Sequence, residues 1–140
     1  MTDSHHLATH LIHAGDAANP TTAVSAPIYQ SATFRFDSPE AIAAAMTSEA
    51  HPLFYGRYAT PNTKQVEATV AKLEGGEAAL AVASGMAAIS LVILGHLRAG
   101  DHLVAQQSLY PTTYRFFHEM LPQLGITTTF VDQTDVDAFA

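Results

Sequence analysis

The residues best placed to do chemistry in this sequence form a turn rather than a set of side-chain acids and bases. Ser84-Gly85-Met86 stands between a short apolar run, Glu77 to Ala83, and a long one, Met86 to Leu97. A strand that enters a tight turn and leaves as a helix aims free backbone N–H groups and the positive end of the helix dipole at one point, which is an anion site. Glycine there lacks the Cβ that would keep a phosphate from the backbone. The same residues also suit a plainer role, with Ser84 capping the helix of an ordinary α/β crossover. The pattern is neither GxGxxG nor GxxxxGK[ST], so it does not support a nucleotide site.

A second group of suitable side chains lies in the loop His51 to Asn62, HPLFYGRYATPN, which places three aromatics and an arginine between Phe54 and Tyr58. A guanidinium fork and a phenol hydroxyl both donate to phosphate oxygens, so the loop can act as a phosphate clamp. The alternative is an aromatic surface loop with an incidental arginine. The absence of cysteine from the sequence excludes disulfides, thiolate metal sites and a cysteine nucleophile, and fits a cytoplasmic protein. His5, His6, His10 and His13 cluster near the start without a zinc spacing, so no metal site is expected. His96 and His102 flank a helix-to-strand turn and read as structural.

The elements that must hold these groups follow from periodicity and punctuation. The chain has 140 residues, 48% of them hydrophobic, enough for one core. Its net charge of −7 disfavours nucleic acid and anionic membrane as partners, and no secretory signal or membrane span is evident. Ile28 to Phe36 reads as a short strand or an extended arm that rests on another subunit or domain. Ser38-Pro39-Glu40 opens a helix with Ile42, Ala45 and Met46 on one face. Asn62 or Thr63 is expected to cap a helix whose stripe is Val66, Val70 and Leu73, which Gly75-Gly76 ends; on that geometry Lys64 and Lys72 face water. Glu77 to Ala83 is expected to be a buried strand, although alanine is a poor strand former. Met86 to Leu97 is apolar nearly all round and predicts a helix covered on most sides, with Arg98 in its last turn and Gly100 past it. His102 to Gln106 and Ile126 to Val131 are further strands. Tyr110 to Leu121 is a helix with Tyr114, Phe117 and Leu121 on one face, and another helix is expected from Thr134-Asp135. Strands alternating with helices imply an α/β fold with an incomplete doubly wound, mainly parallel sheet. The expected organisation is an arm, short helix and clamp loop over 1–61, then the first part of an α/β domain over 62–140.

In this order, the segments THLIHAG, APIYQSATFRF, YGRYATPNT, VEATVAKLEGGEAALAVASGMAAI, RAGDHLVA, SLYPTTY and LGITTTFVD are highly specific. They resemble the N-terminal part of the Cys/Met-metabolism family of pyridoxal-phosphate (PLP) enzymes, of fold type I. Its members include cystathionine γ-synthase, cystathionine lyases, methionine γ-lyase and O-acylhomoserine sulfhydrylases. The resemblance implies PLP as cofactor, an amino-acid substrate and identical subunits in a homotetramer. It implies that Gly85 and Met86 hold the cofactor phosphate by their backbone N–H groups. Tyr55 and Arg57 match the pair that reaches the phosphate in the neighbouring subunit. Tyr110 matches the tyrosine that stacks on the pyridine ring and assists proton movement. Neither Lys64 nor Lys72 matches the Schiff-base lysine, which in the family lies further along than residue 140, so this chain alone is expected to be inactive.

Three departures from the family pattern bear on function. Thr60-Pro61-Asn62-Thr63 stands where many members read NPT. Pro111 replaces the glycine usual after the stacking tyrosine. Thr112 stands where methionine γ-lyases tend to carry cysteine. The last lowers the methionine γ-lyase reading, and γ-replacement on an O-acylhomoserine remains first, with a γ- or β-lyase of the same family as the alternative. The competing class is a non-catalytic α/β module that binds phosphate or a partner.

Overall fold

The structure is a computed structural model that describes residues 6–47, 51 and 53–139. The chain divides into two compact units, Met1–Ala81 and Val82–Ala140.

In the first unit, α1 (Leu7–His13) and a 3-10 turn (Asp16–Ala18) pack on α3 (Pro61–Glu74). Helix α2 (Pro39–Thr47) begins where proline and serine place it, with the Ser38 Oγ accepting the Ala41 N–H at 3.2 Å. Of its expected inner face only Ala45 is buried, while Ile42 and Met46 are exposed. The stretch 28–36 is an extended arm rather than a strand; its backbone pairing is a single antiparallel bridge, Thr33 to Tyr55. Asn62 pins this arm from α3, accepting the Tyr29 N–H at 2.8 Å and donating to the Pro27 carbonyl at 2.9 Å.

Asn62 is thereby occupied, and the cap of α3 falls on Thr60 instead of Asn62 or Thr63. Thr60 and Thr63 satisfy each other's backbone N–H in a capping box, with Pro61 in the first turn, where its missing N–H costs nothing. Gly75 ends the helix at φ 66°, a left-handed conformation that favours glycine. The expected inner stripe is corrected: Val66 and Val70 are exposed, and the buried positions are Pro61 and Glu67. Periodicity gave the helix but not the side it packs, because α1, the 3-10 turn and the returning chain at Ala81 decide which face is covered.

In the second unit, α4 (Gly85–His96) leads to β1 (His102–Gln106). A short α5 (Pro111–Arg115) follows, continuing through a π turn (Phe116–Met120) and a 3-10 turn (Pro122–Leu124) to β2 (Thr127–Val131). The strands pair in parallel from His102↔Thr127 to Gln106↔Val131, as a helical crossover requires. The core is Ala105, Phe116, Phe117, Leu121 and Ile126. Leu121 is 0% exposed and Ile126 2%, and burial on that scale stabilises by roughly 1.5–3 kcal/mol per side chain.

Several expectations change here. The single helix Tyr110 to Leu121 is interrupted: the Leu121 N–H reaches the Phe116 carbonyl five residues back, at 3.0 Å. That extra residue per turn lets the consecutive Phe116 and Phe117 both enter the core. Glu77 to Ala83 is not a strand, because no neighbouring strand pairs with it among the described residues and its alanines supply little side chain to pack. Helix α4 has no buried residue; Met86, Ile89, Ile93 and Leu97 pack against the core, while Leu91, Val92 and Leu94 are exposed. It ends at His96, so Arg98 lies beyond its last turn, where Nη1 donates to the carbonyls of Leu94, Gly95 and Leu97. The helix expected from Thr134-Asp135 is only a 3-10 turn, Asp137–Phe139, with Asp135 accepting the Ala138 N–H. No helix among the described residues is long and apolar enough to cross a membrane.

Candidate functional site

The turn at the start of α4 has the donor set that an anion needs. Ser84 is extended, with φ −162° and ψ 159°, and its Oγ accepts the Ala87 N–H at 3.1 Å. The Ala88 N–H goes to the Ser84 carbonyl at 3.1 Å. The N–H groups of Gly85 and Met86 have no acceptor among the described residues. They are adjacent, at the positive end of a 12-residue helix. Gly85 is not at positive φ, and a Cβ built on it meets no heavy atom within 4 Å. The protein's own packing therefore does not require glycine at this position, and its bare backbone leaves room for a ligand to approach.

Tyr110 is the N-cap of α5, with φ −53° and ψ 133°, and its side chain is 66% exposed. Pro111 occupies the first position of that helix, where no N–H is needed, so the proline is compatible with the tyrosine's place. The N-terminal turns of α4 and α5 are joined by a contact that sequence patterns do not signal. The buried Thr113 donates its hydroxyl to the Met86 Sδ at 3.3 Å. Beside it, Met86, Ser90, Leu94, Thr112, Arg115 and Phe116 line a groove of about 490 Å³, together with Glu119 and Met120.

Tyr55 and Arg57 belong to the first unit. Tyr55 is fixed by its bridge to Thr33, and the Arg57 guanidinium carbon lies 5.2 Å from the Tyr55 ring centre and 5.4 Å from that of Tyr58. The exposed Arg57 pairs with no carboxylate among the described residues. Two aromatic faces thus orient a cation whose donors are not committed to an acid. The candidates fall into two groups, Tyr55 and Arg57 in one unit and Gly85, Met86 and Tyr110 in the other.

Lys64 is half-buried and paired with an acid, where its helix position suggested a side chain facing water. Its Nζ lies 2.9 Å from Glu67 Oε2, and Glu67 Oε1 accepts the Ala81 N–H at 3.0 Å. Burial pushes the Glu67 carboxyl up, but the hydrogen bonds from Lys64 and Ala81 and the lysine's charge outweigh it and hold it below its ordinary range. Glu67 is a structural acid that sequence reading missed, since only the fold brings Ala81 back to α3. Among the described residues, no cluster of three histidine or acidic side chains could hold a metal.

A family model described as "Cys/Met metabolism PLP-dependent enzyme" matches residues 8–140. The chain belongs to that family. It is 40% identical over 129 residues to an L-methionine gamma-lyase of Treponema denticola, covering 92% of this chain and 32% of that protein. It is also 40% identical over 129 residues to an O-acetyl-L-homoserine sulfhydrylase of Leptospira meyeri, covering 91% and 29%. The crystal structure of metB from Corynebacterium glutamicum superposes with a TM-score of 0.80 at 31% identity, over 96% of this chain and 34% of that one. A cystathionine gamma-lyase from Lactobacillus plantarum, complexed with L-serine, gives 0.77 at 36% identity, over 96% and 33%. These neighbours are fold-type I PLP enzymes, and the parallel α/β unit is part of that fold. The chain spans about a third of the length of these relatives. The family's cofactor is pyridoxal 5'-phosphate, and the open N–H pair and bare glycine at α4 fit its phosphate chemically.

Proposed function

We propose that this chain is the part of a sulfur-amino-acid enzyme that holds the cofactor phosphate, and that the enzyme acts by γ-replacement on an O-acylhomoserine, as cystathionine γ-synthases and sulfhydrylases do. The observation that carries the reading is the pair of uncommitted N–H groups at Gly85 and Met86 in a chain of this family. When bound, pyridoxal phosphate accepts the electron pair left at the substrate α-carbon. Gly85 and Met86 donate to its phosphate, and Tyr110 offers an exposed aromatic face for the ring plane and a hydroxyl that can hold a proton. Arg57 and Tyr55 donate to the phosphate held by an identical neighbouring subunit, which accounts for an oriented, exposed guanidinium without an acid partner among the described residues.

Thr112, which stands where methionine γ-lyases tend to carry cysteine, supports replacement over that elimination. The second reading, γ-elimination, rests on the L-methionine gamma-lyase relative, which at 40% identity is as similar as the sulfhydrylase. Product analysis with O-acetylhomoserine plus a thiol, against methionine alone, separates the two.

The test of the shared site is complementation in the full-length protein. Gly85→Val and Arg57→Ala should each weaken PLP binding. Mixed oligomers of the two variants should recover part of it, because one site in each mixed pair then draws on an intact Gly85 and an intact Arg57. No recovery sinks the cross-subunit role. Retained PLP affinity in both variants sinks the site and favours a non-catalytic module.

A further inference from the structure

The Thr113–Met86 contact has a geometry that packing alone does not require. A helical threonine commonly turns its hydroxyl back to a carbonyl three or four residues earlier. Thr113 is 3% exposed and instead donates across to the thioether of another helix at 3.3 Å. Met86 lies in the turn that carries the uncommitted N–H pair. Thr113 is the third residue of the helix that Tyr110 caps, about 4.5 Å along the axis from it at 1.5 Å per residue. Helix α5 runs directly into the π turn that buries Phe116 and Phe117, so Tyr110 sits at the free end of an anchored segment.

We propose that Thr113 is a positioning residue: through Met86 it sets the separation between the anion-holding turn and the Tyr110 face, so that one rigid ligand carrying both a phosphate and an aromatic ring engages both. This rests on the reading of Gly85, Met86 and Tyr110 given above. Thr113 does not itself touch the ligand. Its loss should weaken a ligand that bridges the two subsites and spare ligands that occupy only one, since what is lost is their spacing.

The experiment titrates the full-length protein with three probes: PLP, inorganic phosphate and pyridoxal. Thr113→Val keeps nearly the same shape and removes the hydroxyl, while Thr113→Ser retains it. The valine variant should bind PLP about tenfold more weakly, with phosphate and pyridoxal changed by less than about twofold, and serine should restore most of the PLP affinity. Equal weakening of all three probes, or unchanged PLP affinity, overturns the proposal. If Thr113→Val does not fold, Met86→Leu removes the thioether acceptor, keeps the backbone N–H, and is read by the same titrations. PLP affinity that ignores Gly85→Val overturns the site reading and this proposal with it. A sensitive Gly85→Val beside an insensitive Thr113→Val overturns the positioning role alone.

Discussion

Helices α3 and α4 start in the same way and finish their N-termini differently. Each follows an extended hydroxyl residue, Thr60 or Ser84, whose side chain takes an N–H three positions on. At α3 the end is more nearly closed: Thr63 returns a hydrogen bond to the Thr60 N–H and Pro61 has no N–H to satisfy, which leaves the single Asn62 N–H without an acceptor among the described residues. At α4 it is open, with glycine where α3 has proline and two adjacent donors uncommitted. The side faces differ as well. The more polar α3 buries a charged residue, Glu67, whereas the apolar α4 buries none. The two helix starts thus differ in how many donors their first two positions leave open, and apolar composition does not by itself decide burial.

The largest expected effect breaks the structural side of this contrast. Glu67→Ala leaves the Ala81 N–H without its acceptor and Lys64 without its partner, and should cost about 2 kcal/mol of stability by the usual penalty for a buried group left unsatisfied. Denaturant unfolding measures it, and a loss well under 1 kcal/mol would show that water replaces the carboxylate. The same residue sets a pH dependence. Its carboxyl is held lower in the folded chain than in the unfolded one, so its contribution is present above the ordinary glutamate range and lost as pH falls through the depressed folded value. Glu67→Gln should remove that part of the acid-side decline in melting temperature.

Gly85→Val comes next and concerns the open end. Because a Cβ there meets nothing within the chain, unfolding free energy should shift by no more than about 0.5 kcal/mol. PLP affinity should nevertheless fall roughly tenfold or more, about 1.4 kcal/mol. A large stability loss with unchanged affinity would make the glycine structural after all.

A smaller effect belongs to the closed end. Thr60→Ala should destabilise by about 1 kcal/mol through loss of the cap, with no change in PLP affinity. If PLP affinity moved with Thr60, the distinction between the two helix starts would fail. The smallest sharpens the side-face comparison: Val66→Ser, on the exposed face of α3, should change stability by less than about 0.5 kcal/mol, as for an ordinary surface position.

The sequence by itself determined where α2, α3, α4, β1 and β2 lie, their order, and the glycine turn that opens α4. These are local matters. Pro39 and Pro61 start helices, Gly75 ends one, Ser84 caps another, and period-two and period-3.6 patterns arise within a few residues of chain. The motifs were equally legible, because a family signature is a string of neighbouring residues. Only the tertiary structure decided which face of α3 is buried, that Asn62 ties down the arm instead of capping its helix, and that Glu67 meets Ala81. It also decided that Thr113 reaches Met86, and that a π turn brings both Phe116 and Phe117 inward. Each of these joins residues distant in sequence or depends on what packs against a face. Local propensity fixes the backbone conformation of a segment, but burial and partner choice depend on neighbours that no local pattern names.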